Sequence, residues 1–463
     1  MKMWGKGLFE YEINNETTTV VIASPLIRGN RKLVTVIIII FSTTIIVILT
    51  VKLRIIAQWA GLVSRLSFLK IVIYPLGILT ALLFLGLLLR TLFWLKYRPL
   101  TESDVGQIDW PFISVIMPAY NESEFILKAI DSVFRADYPR DKLEVIAVDD
   151  GSEDDTWEKL KIARENYGHS LRIIHFNRNL GKRKALYSGL KLARGEIVIT
   201  VDSDSLIEPA ALKKIIIPLL KEPEVGAVAG RVAGLNEREN ILTRMLSVNY
   251  SLSFDFGRAY QSVYGGVMVC PGALTAYRMS AIRPVLREWA NQVFMGKPCT
   301  HGEDRHLTTL ILKNGYATRY QANAIVYTQI PADFVEFNKM YIRWTRSGLR
   351  ESLILLKYLI FDFKHKRKFI SATDFFLLNI IYPFHLLLSA TIIFSLLFDP
   401  MFVLRQIIFL ALVSLLISLH YFFNERSLSF IYGVSYTLMA ILFLWWIIPY
   451  SLLTLNEPSW LTR

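Results

Sequence analysis

Ile197-Val198-Ile199-Thr200-Val201-Asp202-Ser203-Asp204 is an apolar run of strand length that ends in two carboxylates. Such a run, bounded by polar residues, reads as a buried strand. Four similar runs accompany it at 113–117, 144–148, 171–175 and 225–229, and helical patterns at 123–134, 154–167, 183–193 and 209–220 separate them. Strand–helix alternation at this spacing predicts an α/β, Rossmann-like domain, a parallel sheet with helices on both faces. Ligands in such sheets sit at the carboxyl ends of the strands. The polar motifs fall there: Pro118-Ala119-Tyr120-Asn121-Glu122, Asp149-Asp150-Gly151-Ser152 and Asp202-Ser203-Asp204.

Each motif has a chemical and an ordinary explanation. Asp202 and Asp204 alternate along a strand end, so both cannot enter the core. One or two carboxylates plus substrate phosphate oxygens are how Mg2+ or Mn2+ is commonly held; an aspartate capping the next helix would look the same. Asp149 and Asp150 can accept hydrogen bonds from a base N–H or ribose hydroxyls, with Tyr120 as an aromatic face and Glu122 as a further acceptor, although Asp-Gly-Ser also suits a turn. The loop 177–183 places Arg178, Lys182 and Arg183 around a glycine at a helix start, a cradle for diphosphate or a solvated basic loop. In Gly302-Glu303-Asp304-Arg305-His306-Leu307 one carboxylate is a candidate general base beside an arginine that holds negative groups. A charged helix start accounts for the same letters.

Long apolar segments bracket this region. The runs 34–51, 71–89, 375–398, 407–423 and 428–455 each approach or exceed the ~18 to 20 residues that cross a bilayer, and 53% of all 463 residues are apolar. The chain is therefore expected to be a multi-pass membrane protein. About thirty mixed polar residues precede the first run, which speaks against a cleaved signal peptide. Arg28, Arg31 and Lys32 before the first run, and Arg90, Lys96 and Arg98 around the end of the second, place the soluble domain in the cytoplasm by the positive-inside rule, with Lys52, Arg54, Arg65 and Lys70 voting the other way. A net charge of +13 suits anionic headgroups and anionic sugar nucleotides. No motif supports nucleic acid, and Cys270 and Cys299 form no CxxC or metal spacing. From 333 to 363 a basic amphipathic pattern, with Phe334, Phe337, Tyr341, Trp344 and Gly348 on one face, predicts a helix in the membrane interface or one packed on its own domain. A basic cluster, Lys364 to Lys368, follows.

Together these residues resemble the family-2 glycosyltransferases, specifically membrane-integrated processive synthases of the hyaluronan synthase and chitin-oligosaccharide synthase type. The likeness runs from about Phe112 to the carboxyl terminus. It is most specific at Gly302-Glu303-Asp304-Arg305-His306-Leu307-Thr308, at Arg343-Trp344-Thr345-Arg346-Ser347 and at Arg350-Glu351-Ser352. The resemblance implies a cytoplasmic GT-A domain at 97–332, after an amino-terminal extension at 1–32 and two transmembrane helices at 33–96. Interface helices at 333–370, a transmembrane region at 371–456 and a gating element at 457–463 would follow.

It also implies roles. Asp149 and Asp150 would contact uridine, Asp204 would ligate Mg2+ or Mn2+, and Asp202 would stand on the ribose-diphosphate side of the metal. Asp304 would deprotonate the acceptor, with Glu303 and Arg305 beside it. Arg343-Trp344 would hold diphosphate and acceptor, and Trp460 and Arg463 would close the nucleotide site. The partners implied are a UDP-sugar, a growing polysaccharide and the lipid bilayer of the cell membrane.

One departure is Met340, where the family writes glutamine in Gln-x-x-Arg-Trp; a thioether cannot replace the amide's hydrogen bonds. The terminus poses a second difficulty. Three spans after a cytoplasmic domain would leave Arg463 outside, so the last run, with Gly433 and Pro449, bends or lies in the interface, or a span is miscounted. The product expected is a hyaluronan-like polysaccharide extruded through the membrane. A chitin-oligosaccharide or poly-N-acetylglucosamine synthase, a non-processive transferase acting on a lipid acceptor and a non-catalytic membrane scaffold are the alternatives.

Overall fold

The structure, a computed structural model, describes residues 8–13, 16–21, 61, 70–361, 368–398 and 400–457. The expected span at 34–51, most of the basic cluster at 364–368 and Trp460 to Arg463 lie outside the described residues.

The five expected strands are present as β1 (Ile113–Ala119), β2 (Leu143–Asp149), β3 (Leu171–His175), β4 (Ile197–Val201) and, after β5 (Ser205–Ile207), β6 (Val225–Gly234). Two more follow, β7 (Leu274–Arg278) and β8 (Ala317–Thr328), and the eight-stranded sheet runs β3-β2-β1-β4-β7-β6-β8-β5. All residues of β1 and β2 are buried, the mark of a sheet covered on both faces. Parallel pairing sets Ala119 against Asp149 and Ile113 against Ile197. The polar ends of β1, β2 and β4 therefore meet at one edge.

The wholly parallel sheet expected from the sequence needs correction. β7 is antiparallel to both β4 and β6, and β5 is antiparallel to β8. These strands escape a search for apolar runs because polar residues interrupt them: Thr275 and Arg278 in β7, and Arg319, Gln321 and Asn323 in β8.

The first described long helix is α1 (Lys70–Lys96). The helices between strands are α2 (Ile126–Phe134), α3 (Thr156–Tyr167), α4 (Lys182–Leu192) and α5 (Ala211–Lys221), close to where helical periodicity places them. Beyond β6 comes α6 (Ile241–Ser251), which loosens into a π-turn at Leu252–Arg258 before Ala259–Tyr264. After β7, α7 (Glu303–Lys313) carries the Glu-Asp-Arg motif and α8 (Phe334–Phe361) the Arg-Trp motif. The chain closes with α9 (Lys368–Asn379), α10 (Ile381–Phe398), α11 (Pro400–Glu425), α12 (Ile431–Phe443) and α13 (Ile447–Leu453).

Among the described residues, three segments are long and apolar enough to cross a membrane: Gly77–Lys96, Phe369–Ala390 and Val403–Glu425. The run at 428–455 is not the straight span its composition suggests. Leu428–Phe443 and Ile447–Leu453 meet at 55°, and the bend falls at Leu444 to Trp446 rather than at Gly433 or Pro449. Gly433 instead serves close packing, since a Cβ there would lie 2.3 Å from Ser418 Oγ.

Buried charges join the long helices to the sheet domain. Arg90 of α1 donates to Asp374 of α9 at 3.1 Å, and Asp374 also accepts from Tyr260, Gln261 and Tyr264, the last at 2.7 Å. Arg231 of β6 pairs with Glu425 at the end of α11 and, at 3.1 Å, with Asp255 in the π-turn. Helix α8 buries Arg346, Ser347, Arg350 and Glu351 against the protein while exposing Val335, Leu353, Ile360 and Phe361.

Candidate active site

Lys182, the first residue of α4, joins two of the motifs. Its Nζ lies 2.5 Å from Asp202 Oδ1 and 3.7 Å from Glu303 Oε1. Burial opposes its charge, yet Asp202, Glu303 and Asp304 hold the ammonium above its ordinary range. Gly272, in the approach to β7, presses on this pair: a Cβ there would sit 3.0 Å from Lys182 Nζ and 3.3 Å from Asp202 Oδ1. Nothing in the sequence marks Gly272.

Asp204 accepts from Ser205 Oγ at 3.1 Å and Thr328 Oγ1 at 3.3 Å. Burial, and then the neighbouring charge of Asp202, push its carboxyl up. A buried carboxyl beside a second negative charge favours a bound cation. Among the described residues no three His, Cys, Asp or Glu side chains are placed to hold a metal ion by themselves. The donor set therefore fits a hard cation completed by substrate phosphates, not one caged by protein.

At the start of α7, Gly302 has φ +79°, and a Cβ on it would lie 2.7 Å from Ser347 Cβ of α8. Only glycine allows both the left-handed backbone and this approach. The indole N–H of buried Trp289 donates to the Glu303 carbonyl at 2.7 Å, and the Arg305 amide donates to Asp304 Oδ1 at 2.7 Å. The adjacent carboxyls are driven apart. Burial, then Glu303, raise Asp304; burial works the same way on Glu303, but Lys182, Arg183 and Arg343 outweigh it and hold Glu303 low. Separated proton affinities in neighbouring groups are a signature of divided acid–base roles.

Arg343 joins from α8. Burial lowers its guanidinium against the pull of Glu303, Asp304, Tyr250 and Asp202. Trp344 packs 5.8 Å from the ring of Tyr250, whose hydroxyl donates to Met340 Sδ at 3.6 Å. Met340 is thus buried against an aromatic phenol. Tyr250, in α6, is a site neighbour that no sequence motif revealed.

At the ends of β1 and β2 the Asp-Asp-Gly-Ser turn does internal work. Asp149 is fully buried and accepts from the Ser152 amide at 3.2 Å, from the Ser152 hydroxyl and from His175 Nδ1 at 2.6 Å. Asp150 accepts from the amides of Leu180 and Gly181 at 2.8 and 2.9 Å, and burial pushes its carboxyl up to about 6. Gly151 has φ +73°, and a Cβ there would lie 2.4 Å from the Arg178 carbonyl carbon. The turn therefore clamps the backbone of the loop 177–181, while residues 177–180 remain exposed. Tyr120 stands half-buried at the same edge and Glu122 is buried beside it.

A buried bracket behind the site was also missed. Arg183 donates to the Trp289 carbonyl at 2.7 Å and to Gln292 Oε1 at 2.8 Å; Gln292 donates to Glu351 at 2.6 Å, and His306 Nδ1 lies 3.1 Å from the same carboxylate. It fixes α4, α7 and α8 to one another; Arg183, His306 and Glu351 fall in the motifs read above, but nothing in the sequence joins them through Gln292 and Trp289.

The Glycosyl transferase family 2 profile matches residues 114–286. An N-acetylglucosaminyltransferase of Rhizobium meliloti (strain 1021) is 33% identical over 364 residues, which is 76% of this chain and 82% of that one. Another, from Azorhizobium caulinodans, is 31% identical over 372 residues, spanning 78% and 89%. A third, from Rhizobium sp. (strain N33), is 35% identical over 264 residues, 56% of this chain and 58% of the relative. The mannosyltransferase PcManGT from Pyrobaculum calidifontis, solved in complex with GDP-Man and Mn2+, superposes with a TM-score of 0.54 at 21% identity, covering 80% of this chain and 99% of that chain. That likeness is one of fold, and it is the GT-A glycosyltransferase fold. With a sheet of this topology, these motifs at its carboxyl edge and relatives aligned over most of their length, the chain is a glycosyltransferase and belongs to glycosyltransferase family 2.

Proposed function

We propose that this enzyme transfers N-acetylglucosamine from a UDP-linked donor to the end of a growing glycan, working at a membrane with its GT-A domain on the cytoplasmic face. The observation that carries the proposal is the convergence on Lys182: a loop cation, the strand-end Asp202 and the Glu303–Asp304 pair come within one site, with Arg343 facing it. Such a site has a cationic floor for a diphosphate leaving group and a base of raised proton affinity for a hydroxyl.

In the proposed reaction Asp304 accepts the proton of the acceptor hydroxyl as that oxygen attacks the anomeric carbon from the side opposite the departing UDP, which inverts the configuration. Lys182 and Arg343 stabilise charge developing on the leaving phosphate, and Glu303 keeps Lys182 charged and in place. Arg305 holds the Asp304 carboxylate through its amide. Asp204, with Asp202, would hold Mg2+ or Mn2+, which when bound supplies Lewis-acid neutralisation of the diphosphate. Asp149, Asp150, Tyr120 and Glu122 form the rim proposed for the uridine. Trp460 and Arg463 are proposed to close over it.

The name shared by the rhizobial relatives favours a product built of N-acetylglucosamine over a hyaluronan-like copolymer. The long apolar helices favour processive synthesis coupled to export. Helix α8, with buried charges and exposed apolar residues, has the polarity expected of an element lying against lipid.

Purified protein given UDP-N-acetylglucosamine alone should release UDP and build a chitinase-sensitive product. A requirement for UDP-glucuronate, with a hyaluronidase-sensitive product, would instead establish the copolymer. No UDP release from any UDP-sugar would defeat the proposal.

A further inference from the structure

We infer that Leu428–Leu453 does not cross the membrane but enters and leaves it on the catalytic domain's side, and that Arg346 latches its exit to the helix bearing Arg343 and Trp344. The second part rests on the transfer reaction proposed above; the first does not.

Length alone does not decide. At about 1.5 Å per residue, Leu428–Phe443 reaches about 24 Å and Ile447–Leu453 about 10 Å, and bent by 55° they advance together by about the 30 Å of a hydrocarbon core. Contacts at the two ends separate a crossing from a return. At the entry, Glu425 pairs with Arg231 of the sheet, and Arg244 of α6 donates to Tyr432 Oη at 3.1 Å. At the exit, Arg346 Nε and Nη2 donate to Thr454 Oγ1 at 3.0 and 2.8 Å, and Asn456 Nδ2 donates to the Met295 carbonyl at 3.3 Å. Both ends therefore rest on the same domain.

At the bend, Leu444 and Ile447 are buried in the core that the sheet domain shares, while Leu442, Phe443, Trp445 and Trp446 are exposed. One wall faces protein and the other presents apolar and indole groups suited to the lipid interface.

The latch is tight. Arg346 is 2% exposed, its guanidinium lies 5.5 Å over the Tyr450 ring, and Nη1 has no partner among the described residues. Removing the Thr454 hydroxyl strands a buried charge. Because Arg346 follows Arg343 and Trp344 within one turn of α8, a shift there moves Arg343, which lies near the carboxylates, and Trp344, which packs on Tyr250. Arg346 is thus a positioning residue for transfer, and Thr454 is its anchor.

Two measurements decide this. In sealed vesicles of known orientation, Glu457→Cys should react with an impermeant maleimide from the same side as Glu165→Cys, a cysteine placed on the catalytic domain; native Cys270 and Cys299 are buried. Reaction from the opposite side would overturn the same-side exit whether or not any sugar is transferred. In turnover, Thr454→Val should lower kcat about threefold to tenfold with little change in KM for the donor, and Thr454→Ser should restore it. Wild-type kcat in Thr454→Val, or equal impairment in Thr454→Ser, would overturn the latch. Wild-type protein that transfers no sugar would sink the donor proposal, while vesicle labelling would still decide the side on which the segment ends.

Discussion

At the scale of single residues the site rests on a division between two neighbouring carboxyls. Asp304→Asn should cut transfer by about 10²- to 10⁴-fold, the usual cost of losing a positioned base, while calorimetry should still register UDP binding; transfer near the wild-type rate would exclude the base. Burial and Glu303 raise Asp304, and a base works only when deprotonated. The acid limb of kcat against pH should therefore lie above the ordinary carboxylate range, with activity rising as pH climbs through it. Glu303→Gln removes the like charge and should move that limb to lower pH; a limb that stays put would contradict the coupling. Asp204→Ala should abolish turnover, and chelator should reproduce the loss in the wild type, with Mg2+ or Mn2+ restoring it. Full activity in excess chelator would remove the metal from the scheme. These acidic residues were legible because strand ends and the Glu-Asp-Arg motif announce them locally. Tyr250 and Gly272 were not: one is a tyrosine in an ordinary helix, the other a glycine whose role depends on Lys182 arriving from elsewhere.

At the scale of elements the decisive contact is α7 against α8, set by Gly302. Gly302→Ala should cost both activity and thermal stability, because its Cβ would meet Ser347 Cβ at 2.7 Å and L-residues resist that φ at a cost of about 1 kcal/mol or more. Adding Ser347→Gly should relieve the clash but not the backbone strain, recovering part of both; no recovery at all would mean the two helices are not coupled through this contact. Sequence pattern captured the parallel half of the sheet and its helices because their strands are continuous apolar runs buried on both faces. It lost β5, β7 and β8, one too short and two broken by polar residues that find partners only in three dimensions: Arg278 donates to the carbonyls of Val225 and Leu219, and Gln321 to those of Leu100 and Lys214. Amphipathic periodicity named α8 and the face that buries Phe337 and Gly348, but not the burial of Arg346, Arg350 and Glu351 outside that face.

At the scale of the whole molecule the catalytic domain and the long helices behave as one object. Removing Trp460 to Arg463 should slow turnover with the melting temperature unchanged; four terminal residues bury little, so an unimpaired truncated enzyme would exclude the closing role proposed for them. Composition alone announced the apolar segments but not the 55° bend in the last of them, because a broken pair and a straight span have the same hydropathy. A last consequence concerns biogenesis. Arg90 and Asp374 stand 284 residues apart in the chain and are nearly buried together, with three donors from Ala259–Tyr264 completing the cluster. In the membrane topology proposed above, each charge alone in lipid would cost about 2.5 to 3.5 kcal/mol, so the helix made first would wait, incompletely neutralised, until synthesis had passed the entire sheet domain. Maturation at the translocon would thereby be tied to folding of the catalytic domain. A ribosome stalled before residue 374 should leave α1 sensitive to membrane-quality-control proteolysis, and Arg90→Leu should relieve that sensitivity.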